Sequence, residues 1–321
     1  MSKINFIAEL CQNHNGDFDN IARMTKLCAN NGADIIKLQY IKSSSLSFRP
    51  KFEAGFKKNK KTYIIKRKFL DEYIRLKKLE ISDSQLLKFV KLCKKLKVEP
   101  CITCFTRGDI NRIRSLGFKT IKIASYDCSS FQLLREVKNK FTNIIVSTGA
   151  TFDDEIDKTS KILKNKNYSF LHCVTIYPTP LNELHLKRIN YLKKYTNKVG
   201  YSDHSLGYGP KRNLASLLAI YHGAKMIERH IRILDKKDTK DGKVSIEPKD
   251  IFLIKKFSLL SKKKQKDYLH KHFKYNFNKV IGSKTRELSN VELLNRDYYR
   301  GRFVTKKNSR EIFNWEEIEY D

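Results

Sequence analysis

The sequence predicts an α/β chain folded as a (β/α)8 barrel. Three observations predict it. Eight short, β-branched-rich apolar runs recur along the chain, and amphipathic segments separate them. The runs are nearly continuous in apolar character rather than alternating, as strands covered on both faces must be. Eight such units within about 260 residues match the usual size of a closed barrel. A doubly wound open sheet satisfies the same periodicity and stands as the second reading.

The strands are read at Ile4–Ala8, Asp34–Gln39, Glu99–Thr103, Thr120–Ala124, Asn143–Ser147, Ser169–Val174, Lys198–Tyr201 and Lys225–Glu228. The helices fall near Asn20–Asn30, Asp83–Leu96, Asp109–Leu116, Phe131–Asn139, Phe152–Asn165, Leu184–Tyr195, Asn213–Tyr221 and Pro248–Leu260. Ser82 and Asp153 suit N-cap or first-turn positions, and Gly117 suits a helix stop. Two parts lie outside this repeat. Ile41–Leu79 is an overlong connection carrying Lys57-Lys58-Asn59-Lys60-Lys61 and Lys66-Arg67-Lys68. A loop of that length is a lid or a disordered segment, and this one leaves a strand's C-terminal end, in position to cover a barrel mouth. After the barrel domain, 1–265, residues 266–321 read as a lysine-rich linker or helix followed by short alternating runs. These are too few for a core of their own.

Composition narrows the function classes. Lysine and arginine number 66 against 34 acidic residues, a net charge of +32. The cations are spread along the chain without interleaved aromatics, so a charged surface that draws anionic small molecules is favoured over nucleic-acid binding. The chain shows no signal-peptide pattern and no apolar run near the roughly eighteen residues a membrane span needs. Its seven cysteines are scattered, mostly in apolar runs, which predicts reduced thiols and a cytoplasmic protein. Cys101-Ile-Thr-Cys104 lies within a strand run and has no second pair, so a zinc or redox site is not expected there.

Chemistry collects at strand C-termini, where barrels place their sites. Reading off those ends yields Glu9, Lys37, Gln39, Thr103, Lys122, Ser125, Asp127, Ser147, Tyr177, Ser202, His204 and His230. Lys37 and Lys122 interrupt strongly apolar runs, and a buried ammonium is costly unless an anion meets it. Two of them beside serine and threonine hydroxyls suit a pocket for phosphate and carboxylate. For either lysine the alternative is an ion pair with a barrel carboxylate such as Glu9. The stretch Val199–His230 forms one strand-loop-helix-strand unit whose two strands stop near His204 and His230. Parallel neighbours end at the same edge, so the two imidazoles should sit side by side, where they can hold a divalent metal. Two unrelated rim residues are the competing reading.

Ile7-Ala8-Glu9-Leu10-Cys11-Gln12-Asn13-His14-Asn15-Gly16 resembles the IAEIGxNHNG opening of the N-acetylneuraminate (sialic acid) synthase family, which includes legionaminate and pseudaminate synthases. Gly32–Gln39, Lys122–Ser125, Ser147-Thr148-Gly149, Leu171-His172-Cys173 with Tyr177–Pro180, Gly200–His204, Ile227–His230 and Ser245–Pro248 follow in that family's order. The resemblance implies a TIM barrel that condenses phosphoenolpyruvate with an N-acetylated hexose, with Mn2+ or Mg2+ as cofactor and a homodimer as assembly. It further implies that Lys37, Thr103, Lys122, Ser125, Ser147 and Ser202 contact phosphoenolpyruvate. His204 and His230 match metal ligands, and Glu9, Gln39, Tyr177 and Asp241 match positions that hold the sugar. Asp127 matches an acidic residue that helps activate water, so the implied catalytic set is Asp127, Glu9 and His230. Thr175 stands where members can carry Asn. The stretch from Arg300 to Ile318 resembles only the start of an antifreeze-like (SAF) domain. A barrel that binds phosphoenolpyruvate and metal without turning over a sugar is the alternative.

Overall fold

The computed structural model describes residues 4–273 and 278–318; the remainder of the C-terminal stretch lies outside the described residues. Eight parallel strands form the centre: β1 (Asn5–Glu9), β2 (Ile35–Gln39), β3 (Glu99–Cys104), β4 (Thr120–Ile123), β5 (Asn143–Ser147), β6 (Tyr168–His172), β7 (Val199–Asp203) and β8 (Met226–His230). Each pairs with its sequence neighbour, and β8 pairs with β1 from Asn5↔Met226 to Glu9↔His230. That last pairing closes the barrel and removes the open sheet.

Helices connect the strands and cover their outer faces. The expected caps form: Ser82 accepts from the Gln85 amide while the Gln85 side chain returns to the Ser82 amide, starting the helix Asp83–Lys95. Asp153 sits in the first turn of Asp153–Ile162. Gly117 follows the helix Ile110–Ser115 with φ +92°, the left-handed stop that glycine takes without strain.

Successive strand residues face opposite sides, so each strand feeds two cores. The outer one, between strands and helices, takes residues such as Phe6, Ile36, Leu38, Ile121, Ile123 and Phe170. Ile7, Ile35, Cys101, Ile145, Leu171 and Met226 form a separate inner plug. Gly200 belongs to this crowded interior, since a Cβ there would lie 2.5 Å from the Met226 carbonyl oxygen. Cys101 and Cys104 fall into different cores because three residues along a strand reverse the side.

The two irregular parts meet at the barrel mouth. The insertion folds as a short helix (Lys51–Ala54), a hairpin (Phe56–Lys58 with Lys61–Ile64) and a longer helix (Phe69–Lys77). Lys262–Phe273 is a helix that buries Gln265 and Leu269 and packs on Leu214–Tyr221, which it covers together with Pro248–Ser258 and the barrel strands. The helix Asn290–Tyr299 and the hairpin Thr305–Lys307 with Arg310–Ile312 then return to the mouth. The Ser47 amide donates to the Arg302 carbonyl and the Val304 amide to the Ser45 carbonyl. Asn295 Nδ2 donates to the Thr175 carbonyl at 2.7 Å, and Arg296 grips Glu155 with two hydrogen bonds.

Beneath the site, Arg229 and Asp203 form a fully buried ion pair at 2.6 Å. Asp203 also accepts from Ser216 Oγ and the Ser205 amide. Removing the guanidinium leaves a buried carboxylate with no counter-charge. Arg229→Leu should therefore lower the urea unfolding free energy by about 3–5 kcal/mol.

Candidate active site

A cavity of about 530 Å³ opens at the C-terminal ends of the strands. Its deep part follows from strand alternation. One step above the inner plug, two residues along each strand, come Glu9, Lys37, Thr103, Ser147, Ser202 and Glu228, with Lys122 on β4 in the same layer. Register aligns them, with Glu9 beside Lys37, Thr103 beside Lys122 and Ser202 beside Glu228.

Here charges stand in one network. Lys37 Nζ pairs with Glu9 and lies 3.6 Å from Glu228 and 3.4 Å from Thr103 Oγ1. Lys122 Nζ donates to Ser147 Oγ at 2.7 Å, and its nearest carboxylate, Glu228, is 3.7 Å away. Ser202 Oγ donates to Glu228 at 2.7 Å. Burial, reinforced by the like charge of Lys122, pulls the Lys37 ammonium down to about 8 against the pull of Glu228. Burial alone would raise Glu228, but Lys122, Lys37 and the Ser202 hydroxyl outweigh it and hold the carboxyl at about 2. Lys37 thus has a close partner of its own in Glu9, whereas Lys122 has Ser147 Oγ and shares Glu228 with Lys37. Both ammonium groups line the same cavity.

The imidazoles stand just beyond this layer, at the ends of β7 and β8. His204 and His230 lie edge to face with ring centroids 5.5 Å apart. His204 Nδ1 bonds the Val174 carbonyl at 3.1 Å, and its Nε2 faces the Tyr177 hydroxyl at 3.1 Å, with the two rings stacked at 4.2 Å. Burial holds His204 neutral, down at about 4, and drives His230 well below its ordinary range with the help of neighbouring cations. His230 Nδ1 is buried without a hydrogen-bond partner. It faces Asp241 Oδ2 at 3.8 Å, and Cys11 Sγ joins them in a group of potential metal ligands whose atoms all lie within 4.8 Å. A neutral imidazole with a free buried nitrogen beside a carboxylate fits a divalent cation.

The remaining expected residues divide. Gln39, Thr103, Ser125, Tyr177 and Asp241 all line the cavity. Asp127 does not. Its carboxylate accepts from Ser130 Oγ and Asn314 Nδ2 at 2.9 Å, in an adjoining small cavity, while Tyr126 faces the main one. The cause is the tight turn Ser125–Asp127, which aims consecutive side chains in different directions, and the segment after the terminal hairpin, which supplies Asn314. Sequence reading missed Glu228, although Met226-Glu228-His230 is a period-two series whose ends were both identifiable. It also missed Arg67, Glu72 and Arg75 from the insertion and Asn295, Tyr299 and Arg302 from the tail, which complete the lining. No local pattern marks those.

Comparisons with known proteins bear on the family and the fold. The NeuB family profile matches residues 24–265. The chain is 31% identical over 262 residues to N,N'-diacetyllegionaminic acid synthase of Campylobacter jejuni, covering 79% of this chain and 75% of that protein. It is 28% identical over 254 residues to human N-acetylneuraminate-9-phosphate synthase, covering 76% and 66%. Among solved structures, an N-acetylneuraminic acid (sialic acid) synthetase from Leptospira borgpetersenii in complex with citrate superposes with a TM-score of 0.66 at 26% identity, covering 92% of this chain and 90% of that one.

Lys122→Ala tests the deep part of the cavity as an anion site. Calorimetric titration with inorganic phosphate should show affinity at least about tenfold weaker, from loss of a charge-assisted hydrogen bond worth about 1.5–3 kcal/mol.

Proposed function

The chain belongs to the NeuB family, and from that premise we propose that it joins phosphoenolpyruvate to the aldehyde of an open-chain N-acetylated hexose. The products are a nine-carbon α-keto acid sugar and phosphate. N-acetylmannosamine and 2,4-diacetamido hexoses are the acceptors of choice, in keeping with synthases of legionaminic and pseudaminic acids among its relatives. The single observation that carries this reading is the pairing, in one cavity, of two lysines among hydroxyls with a wall of two neutral imidazoles.

Lys37 and Lys122, with Thr103, Ser147 and Ser202, hold phosphate and carboxylate so that C3 of phosphoenolpyruvate faces the acceptor. C3 forms a bond to the aldehyde carbon, leaving a cation-like C2. Water adds to C2, and phosphate leaves by C–O cleavage. Glu9 and Glu228 are the carboxylates that line the cavity beside Lys37, and they replace Asp127 as candidates to take the proton from that water. Tyr177, Gln39 and the residues of the insertion and tail enclose the sugar. His230, whose Nδ1 has no hydrogen-bond partner, would hold a divalent cation beside the engaged ring of His204, and that cation would supply Lewis-acid polarisation of the aldehyde oxygen.

Incubation with Mn2+, phosphoenolpyruvate and a panel of N-acetylated hexoses should release phosphate and one keto acid, identified by mass spectrometry. No product from any hexose, together with no binding of phosphoenolpyruvate, overturns the proposal. Binding of phosphoenolpyruvate and metal without turnover selects the catalytically altered barrel instead. The apparent affinity for phosphoenolpyruvate should fall as pH rises through about 8, because Lys37 is cationic below that value and neutral above it.

A further inference from the structure

Cys11 occupies a position that a side chain enters only under strain. It follows β1 directly, and its φ is +48°, in the left-handed region where glycine is at ease. The family opening that this segment resembles carries glycine at the same place. Here the position bears a thiol, 4% exposed and turned into the cavity. The Glu9 carboxylate accepts from the Cys11 amide at 2.6 Å and fixes the turn. Cys11 Sγ lies 2.7 Å from Asp241 Oδ2 and 3.1 Å from Gln39 Nε2. A thiol is a weak hydrogen-bonding group, so these contacts give little reason to retain it at a strained position.

The second observation is independent of the cysteine. His230 is 7% exposed, and its Nδ1 is a buried ring nitrogen without a hydrogen-bond partner. It points to the same place, 3.8 Å from Asp241 Oδ2. His204 is differently disposed, because its two ring nitrogens already meet the Val174 carbonyl and the hydroxyls of Tyr177 and Ser202. Asp241 reaches the group from a loop that Asn13 Oδ1 holds by accepting from the Asp241 amide at 3.1 Å.

We propose that Cys11, His230 and Asp241 form a three-ligand site for a thiophilic divalent cation of the zinc, iron(II) or cobalt(II) class. The fourth position opens into the cavity. The proposal deepens the function argued above by naming the ligand set and the kind of ion, and it rests on that reading for its role in catalysis. Tetrahedral sulfur, nitrogen and oxygen ligands around such an ion lie roughly 3.5 Å from one another. The three groups, all within 4.8 Å, close to that spacing by side-chain rotation. On coordination the thiol proton, now shared with Asp241, leaves to solvent and the cation takes its place, so no electron is transferred. A thiolate among the ligands selects against magnesium, which prefers oxygen.

The test uses the full chain, freed of metal and titrated with Co2+. One equivalent should bind with thiolate-to-cobalt charge-transfer absorption in the near ultraviolet, and Zn2+ but not excess Mg2+ should displace it. Cys11→Gly suits the local backbone and should abolish the band and weaken Co2+ binding at least tenfold by calorimetry. His230→Gln should weaken Co2+ binding similarly. Cobalt bound without the band, or a band that survives Cys11→Gly, overturns the assignment. The product assay on the same preparation separates the two claims. Turnover without the band removes this ligand set and leaves the reaction standing, whereas the band without turnover removes the reaction and leaves the metal site.

Discussion

Closure of the sheet is the constraint on which the rest of this structure depends. Once β8 is bonded to β1, every second residue of each strand must point into an interior that no helix can reach. Only the lower part of that interior is filled, by Ile7, Ile35, Cys101, Ile145, Leu171 and Met226. The next layer carries Glu9, Lys37, Lys122, Ser147, Ser202 and Glu228 instead. Their desolvation is offset by pairing with one another, and the mutual pairing leaves Lys37 and Lys122 to share the one Glu228 carboxylate.

The mouth is governed by different forces. The insertion after β2 and the C-terminal elements bury little apolar surface by themselves. They are held by charge-assisted and backbone hydrogen bonds to the loops after several strands, including Arg296 to Glu155, Asn295 to the Thr175 carbonyl and Arg302 to Glu72. Phe303 packs with Leu46, Ile41 and Leu76 to form the small core that joins the two. The Glu72 carboxyl, which burial alone would raise, is brought to about 2 by Arg75, Arg302 and Arg67 around it. A roof built this way carries Arg67, Glu72, Arg75, Asn295 and Arg302 toward the cavity.

Between plug and roof lies the wall of Cys11, Tyr177, His204, His230 and Asp241. Burial keeps both imidazoles neutral, and neutrality is the state in which a ring nitrogen donates a lone pair. The two histidines are nevertheless unequal. One is saturated by its surroundings and the other has a buried nitrogen with no partner.

By itself the sequence determined the eight strands, most of the helices and the polar strand ends, because periodicity, capping and charge within apolar runs are local properties of a chain. Lys37 and Lys122 were legible for that reason: each is a charge inside an otherwise apolar run. Glu228 was legible in principle by the same alternation, lying between Met226 and His230. Closure of the sheet was left to the tertiary structure, since local periodicity is the same in a barrel and an open sheet. So was the direction of Asp127, which depends on Asn314, 187 residues away along the chain and 2.9 Å away in space. The meeting of Cys11 with Asp241 was decided there too, because 230 residues separate them and only the fold brings two such distant segments to one ion-sized gap.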